Sequence, residues 1–286
     1  MARPATARHL LQDYLKAQDE RDPERVSSPF DLSLDGPELE RFASARGQRT
    51  PDVESLLRRM VAEGQAHRLQ AGRYLVNRPG VLSPRPRLDD LEPVADLVLR
   101  RLDHSYYLSW HTGLWHHGLI EQQSRTVLCA VTVRKRPVHL GEQAVRFVRV
   151  AQRKFFGFSR SDDYEAGVWI ADLEKTLLDS LDMPHLAGPM PVVLAALDQA
   201  ARTGVLDPQR LVAYAIRMGG PMLNRRLGYF MEQLDIPGAA ELQPHLGRKS
   251  AVTLQPGRAP QSGTKVDPRW RVYADDALVS SAKELK

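Results

Sequence analysis

Cysteine is almost absent: the 286 residues hold one, Cys129, inside the apolar run TVLCAVTV. A disulfide framework is excluded, a reducing cytoplasm is the natural setting, and Cys129 reads as a small buried hydrophobe. Long hydrophobic runs are missing too, and none approaches the roughly 18 residues needed to span a bilayer. The opening MARPATARHLLQDYLKAQDERDPER has no apolar core of signal-peptide length. A cytoplasmic location without membrane contact is therefore expected. Walker-type phosphate loops, dinucleotide glycine fingerprints, nucleophile elbows and HExxH spacing are all lacking. Gly219-Gly220-Pro221 is a helix break, too short to cradle a phosphate. Nothing in the chain asks for a cofactor or a metal, and it is not expected to be an enzyme.

What is there is ordinary for a globular protein: 42% hydrophobic and 26% charged residues, and enough length for two domains. The net charge of +5, with a pI near 9.4, permits a nucleic-acid partner without demanding one.

The stretch Pro37 to Val76 is the most informative. In TPDVESLLRRMVAEG, apolar Val53, Leu56, Leu57, Met60 and Val61 recur at i, i+3, i+4, i+7 and i+8, one face of a helix. Thr50 suits the N-cap, Pro51 the first helical position, and Gly64 a left-handed end. A shorter helix, PELERFASARG, precedes it. AHRLQAGRYLV follows as two short strands around Ala71-Gly72. Helix, turn, helix and β-hairpin is the winged helix-turn-helix order, a DNA-binding shape. From Arg41 to Arg78 eight arginines face Asp52, Glu54 and Glu63, a local balance of +5. Phosphate contact is assigned to Arg49, Ser55, Arg58, Arg59, Arg68 and Arg73. Asp52 and Glu54 complement the helix dipole but would repel phosphate. Ahead of this segment, Leu10, Leu11, Tyr14 and Leu15 predict a short amphipathic helix packed on it. RVSSPFDL finds no place in the pattern.

NRPGVLSPRPRLDDLEP, with prolines at 79, 84, 86 and 93, reads as a linker. The expected division is a winged-helix domain over 1–85 and a second domain over 86–286. The fold class is α+β, the second domain combining a small antiparallel sheet with a helical group. Its first elements are helices at roughly 93–102 and 105–119, then strands at 126–133, 144–150 and 167–171. Four helices follow, with strand-like AVTL and WRVYA near the end and residues 280–286 expected to be disordered. Between Arg125 and Arg160 there are nine basic residues and one acid, Glu142. Arg134, Lys135, Arg136, Arg149, Arg153 and Lys154 make a second basic surface, or a half-exposed sheet carrying solvated arginines.

Other polar clusters read as structural. His111, His116 and His117 lack the i, i+3 or i+4 spacing of a helical metal site, and the aromatic rings around them suggest a helix packed on a sheet. Glu174, Lys175 and Asp179 share one helix, with Lys175 and Asp179 at the i, i+4 spacing of a helix-surface pair. Arg225 and Arg226 lie beside an apolar stripe and are expected to anchor their helix to acidic groups.

The ordered set SYYLSW, HHGL, RKFFGF, IADLEKTLLDSLDMP, NRRLGYFMEQL, LQP and RWRVY, spread over roughly residues 90–275, resembles the C-terminal domain of the AbiEi antitoxin family. A winged helix ahead of it is what that family carries. The resemblance implies a bacterial antitoxin of an abortive-infection toxin–antitoxin system that also represses its own operon. It implies binding to double-stranded promoter DNA at inverted repeats, and opposition to an AbiEii-like nucleotidyltransferase toxin. The residues alone leave open an RNA-handling enzyme or a protein-interaction adaptor built on a winged-helix platform.

Overall fold

The computed structural model describes residues 7–21, 30–47, 53–70, 73–77, 98–99, 102, 105–140, 143–161, 167–247, 250–260 and 263–284. The fold is mixed α/β. Two compact units make it up: residues 1–101 with 137–145, and residues 102–136 with 146–286. The proline-rich linker and the expected boundary at 85/86 lie outside the described residues. So does most of the helix expected at 93–102.

The first unit runs α1 (Ala7–Arg21), β1 (Phe30–Asp35), α2 (Gly36–Ala45), α3 (Val53–Ala62), β2 (Ala66–Gln70) and β3 (Arg73–Asn77). Its core is the predicted one except at Val61, expected on the apolar face of α3 but exposed. Leu10, Leu11, Tyr14 and Leu15 of α1 meet Leu39 and Ala43 of α2, Val53 and Leu57 of α3, and Ala66, Tyr74 and Val76 of the strands. The Tyr14 and Phe42 rings meet edge to face at 5.1 Å. Gly64, at φ 70°, ends α3 as expected. Its N–H reaches the Val61 carbonyl at 3.1 Å, and the Gln65 N–H reaches back to Met60 at 2.8 Å. This pair of bonds satisfies carbonyls left open at a helix end. The last residues of the segment that found no place in the sequence pattern, from Phe30, begin a strand. β1 pairs antiparallel with β3, with Leu32 opposite Val76 and Leu34 opposite Tyr74, so the sheet order is β1-β3-β2.

In the second unit the expected helix over 105–119 divides. Tyr106–Leu108 form strand β4, and Trp110–His116 form helix α4. All three β4 residues are buried, flanked by β5 (Thr126–Val131) on one side and β9 (Val168–Ala171) on the other. Aromatic residues held between two strands favour the pleat over the helix. The sheet is therefore larger than expected and mixed. β4 is antiparallel to β5 but parallel to β9. With β7 (Gln143–Arg149) and β8 (Phe158–Ser161) the order in this unit is β7-β5-β4-β9-β8, while β6 (Val138–Leu140) and the residues of β7 that it pairs with fall in the first unit. Cys129 lies in β5 and is fully buried, and burial pushes its thiol pKa well up.

Helices α5 (Leu173–Asp182), α6 (Met190–Arg202), α7 (Pro208–Met218) and α8 (Pro221–Gln233) supply most of this unit's core. A second three-stranded sheet joins β10 (Val252–Thr253), β11 (Val266–Asp267) and β12 (Val272–Tyr273). The expected disorder from residue 280 is overturned as far as Glu284. Asp276–Glu284 form helix α9, which packs against α6 with Leu278, Val279 and Ala282 buried. That i, i+1, i+4 apolar set supplies the docking face.

Lys175 and Asp179 correct a second expectation. Their spacing is that of a surface pair, yet their side chains are 0% and 1% exposed. Asp179 Oδ1 accepts from Lys175 Nζ. Its Oδ2 accepts from Ser109 Oγ at 2.9 Å and from the Tyr107 hydroxyl at 3.2 Å. Lys175 Nζ also donates to the Tyr107 hydroxyl at 2.9 Å, and Trp110 Nε1 donates to the Asp179 carbonyl at 3.0 Å. Burial raises the Asp179 pKa and lowers that of Lys175, so each group is pulled toward its neutral form. Arg225 and Arg226 donate to main-chain carbonyls. Arg225 donates to Leu246 at 2.9 Å and Ser250 at 2.6 Å, and Arg226 to Thr253 at 2.9 Å. Five-donor guanidinium groups suit a chain segment whose oxygens lack helix partners.

Removing one member of the buried pair strands the other. Asp179→Ala and Lys175→Met are each expected to cost about 3–5 kcal/mol in denaturant unfolding. The double variant should lose clearly less than the sum of the two; strict additivity would mean that the groups do not act as a pair. Tyr106 gives a pH signature: burial raises its phenol pKa to about 12. The folded state then holds a proton that the unfolded chain releases from about pH 10 upward. Unfolding free energy should fall as pH rises through that window, and Tyr106→Phe should flatten the fall.

Candidate nucleic-acid interface

Helix α3 has one buried and one outward side. Val53 and Leu57 are buried and Leu56 and Met60 half-buried, while Glu54, Ser55, Arg58, Arg59 and Ala62 are exposed. At about 100° per residue, Glu54, Arg58, Ala62, Ser55 and Arg59 fall in that order across an outward arc of about 140°. Arg58 is held by Glu54, one turn back, with Nη2 to Oε1 at 3.3 Å and both side chains about two-thirds exposed. Ser55 and Arg59 complete the arc.

The other arginines of the first unit divide by what they already touch. On α2, Arg41 Nε donates to the Pro37 carbonyl at 3.3 Å, and the Arg46 guanidinium lies 3.9 Å from the centre of the Phe42 ring. Arg68, on β2, is exposed. Arg73 begins β3, but its side chain, like the whole of Arg49, lies outside the described residues. Of the six residues assigned to phosphate contact, Ser55, Arg58 and Arg59 share one helix face and Arg68 stands on the strand that follows.

The second basic run is less uniform than its composition. Arg134 and Arg136 are exposed and Lys135 half-buried on the connection between β5 and β6, and Arg149 is exposed at the end of β7. Arg153 and Lys154 are engaged within the fold. Arg153 Nε donates to the Met218 carbonyl at 3.1 Å, at the C-terminal end of α7, where a cation also complements the helix dipole. Lys154 is paired with Asp182.

Among the described residues no group of three or more His, Cys, Asp or Glu is arranged to hold a metal ion. His117 Nε2 sits 2.9 Å from the Ala171 carbonyl, and the rings of His116 and His117 meet at 70°. Neighbouring polar groups do local work. Asp172 caps α5, accepting the Lys175 N–H at 2.9 Å and the Tyr214 hydroxyl at 2.9 Å. Buried Glu174 accepts the Asp207 N–H at 2.9 Å and also meets Arg210. A cavity of about 260 Å³ in the second unit is lined by Thr253, Gln255, Arg258, Tyr273 and Asp275 among others. Of these, Asp275 accepts the Leu278 N–H at 3.0 Å and Arg258 meets Gln255 at 3.3 Å. No described helix is long and apolar enough to cross a membrane.

Two features of the first unit go beyond the sequence pattern: β1, the third strand of its sheet, and the Glu54–Arg58 pair.

No family model matches the sequence, and no curated protein matches it. The fold is similar to that in a crystal structure of the RV2827C protein from Mycobacterium tuberculosis, with a TM-score of 0.62 and 15% sequence identity, over 96% of this chain and 94% of that one. At that identity the likeness concerns the fold alone.

Proposed function

We propose that this protein is a DNA-binding transcriptional autorepressor and an antitoxin that opposes a nucleotidyltransferase toxin. One observation carries the DNA-binding half. The first unit runs helix, strand, helix, helix and hairpin, its first strand lies against the last, and α3 turns an arginine-bearing arc outward. That layout supports a winged helix-turn-helix reading, in which α3 enters the major groove and the β2–β3 hairpin is the wing. Arg59 and Arg68 are the phosphate contacts. The target is double-stranded promoter DNA carrying inverted repeats.

The antitoxin half rests on the motifs of the second part, from SYYLSW to RWRVY, and on their order. A cytoplasmic site of action goes with both halves. The toxin is counteracted without catalysis by this chain.

The test uses the full-length protein. Gel shifts on DNA upstream of its own reading frame, from about 50 to 200 mM salt, should show affinity falling steeply with salt. Arg59→Ala/Arg68→Ala should weaken binding and make the slope of log K against log salt shallower by about 2. In cells, that variant should lose repression of a promoter reporter yet still rescue growth from the toxin. Unchanged affinity and slope would refute this choice of DNA surface. Loss of rescue along with repression would refute the separation of the two activities.

A further inference from the structure

The outward arc of α3 carries a carboxylate where a phosphate-binding helix is better without one. Glu54 is the second residue of the helix, and the N-terminal residues of a recognition helix reach base edges. A carboxylate brought within about 10 Å of phosphates at 0.1 M salt is repelled. Its favourable partners in the major groove are base amino groups, of which cytosine N4 is the usual one for Glu. Arg58 sits beside it at 3.3 Å. Together the two carry no net charge, so docking them releases no counterion, and Arg58 is a poor candidate for a backbone contact. The contact uses one terminal nitrogen of Arg58. A guanidinium has five N–H donors, and guanine offers O6 and N7 in the same groove.

We propose that Glu54 and Arg58 act as one base-reading unit, with Glu54 accepting from cytosine N4 and Arg58 donating to guanine O6 and N7 at neighbouring positions of the major groove. This rests on the winged-helix reading above and adds the division of labour within it. Arg59 and Arg68 bind the backbone alike on any sequence, whereas the Glu54–Arg58 pair chooses the site. The pair also orients itself: each side chain narrows the rotamers of the other before DNA arrives. Ala62, next to Arg58 across the arc, lets the helix approach the bases without a bulky side chain in the way.

Selection of full-length wild-type protein on a random duplex library, followed by affinity measurements on the best site and its single-base variants at two salt concentrations, tests this. The wild type should select cytosine and guanine at neighbouring positions. Glu54→Gln should reduce discrimination at the cytosine by about tenfold or more and Arg58→Ala should do so at the guanine, while Glu54→Gln/Arg58→Ala, which removes no net charge, should leave the salt slope unchanged. Arg59→Ala should instead weaken every sequence alike and lower the slope by about 1. Both pair residues are exposed and an exposed pair adds little to stability, so unfolding midpoints should stay at the wild-type value. If Glu54→Gln strengthens all sequences equally, Glu54 only repels and the proposal falls. It also falls if Arg58→Ala lowers the slope by about 1 while leaving sequence preference intact. A wild type that binds no duplex overturns both this and the winged-helix reading.

Discussion

The second unit is organised around one carboxylate. Asp179 is fully enclosed, and the donors to its carboxylate come from three places: Tyr107 from β4, Ser109 from the turn into α4 and Lys175 from its own helix, while Trp110 binds its main-chain carbonyl. An ionised carboxylate in such a place is costly unless its oxygens are filled. The constraint therefore runs outward. β4 must stay in the middle of the sheet, the chain must turn sharply after it, and α5 must cross at the angle that aims Asp179 at all three groups. Trp110 pays for this in backbone conformation, with φ at 55°, a region that bulky residues avoid. Its indole is fully buried and its N–H bonded, so packing holds the strained turn in place.

The first unit is built differently. Its core comes from short amphipathic helices whose apolar faces follow the helical period, closed by a small antiparallel sheet, and its described arginines Arg41, Arg46, Arg58, Arg59 and Arg68 are exposed. Among its described residues no charged side chain is buried. The second unit, by contrast, uses Lys175, Asp179, Glu174 and Arg225 as internal fastenings.

This contrast explains what could be read from the residues. The α3 period, the glycine that ends it and the apolar positions of α1 are local signals and appear in the structure as expected. β1 carries alternating Phe30, Leu32 and Leu34, but its place is set by β3, some forty residues on, and local pattern does not encode that pairing. β4 was hidden for a related reason. A strand covered on both faces shows no alternation, so Tyr106-Tyr107-Leu108 blends into the helix after it. Lys175 and Asp179 show a third limit: i, i+4 spacing says that two side chains can meet, not whether water is there when they do. Charge sorting picks out the exposed arginines of α3, but charge alone does not separate Arg58, held by Glu54, from Arg59. Arg153 and Lys154 read as surface for the same reason, although one closes a helix end and the other pairs with Asp182.

Because the single cysteine lies at the heart of β5, between β4 and β7, it can report on events that leave no trace in activity. A thiol reagent reaches Cys129 only when that strand comes away from its neighbours. The labelling rate of the native protein therefore measures how often the sheet opens. There is no second thiol to complicate the signal, and none with which an opened molecule could form an internal crosslink.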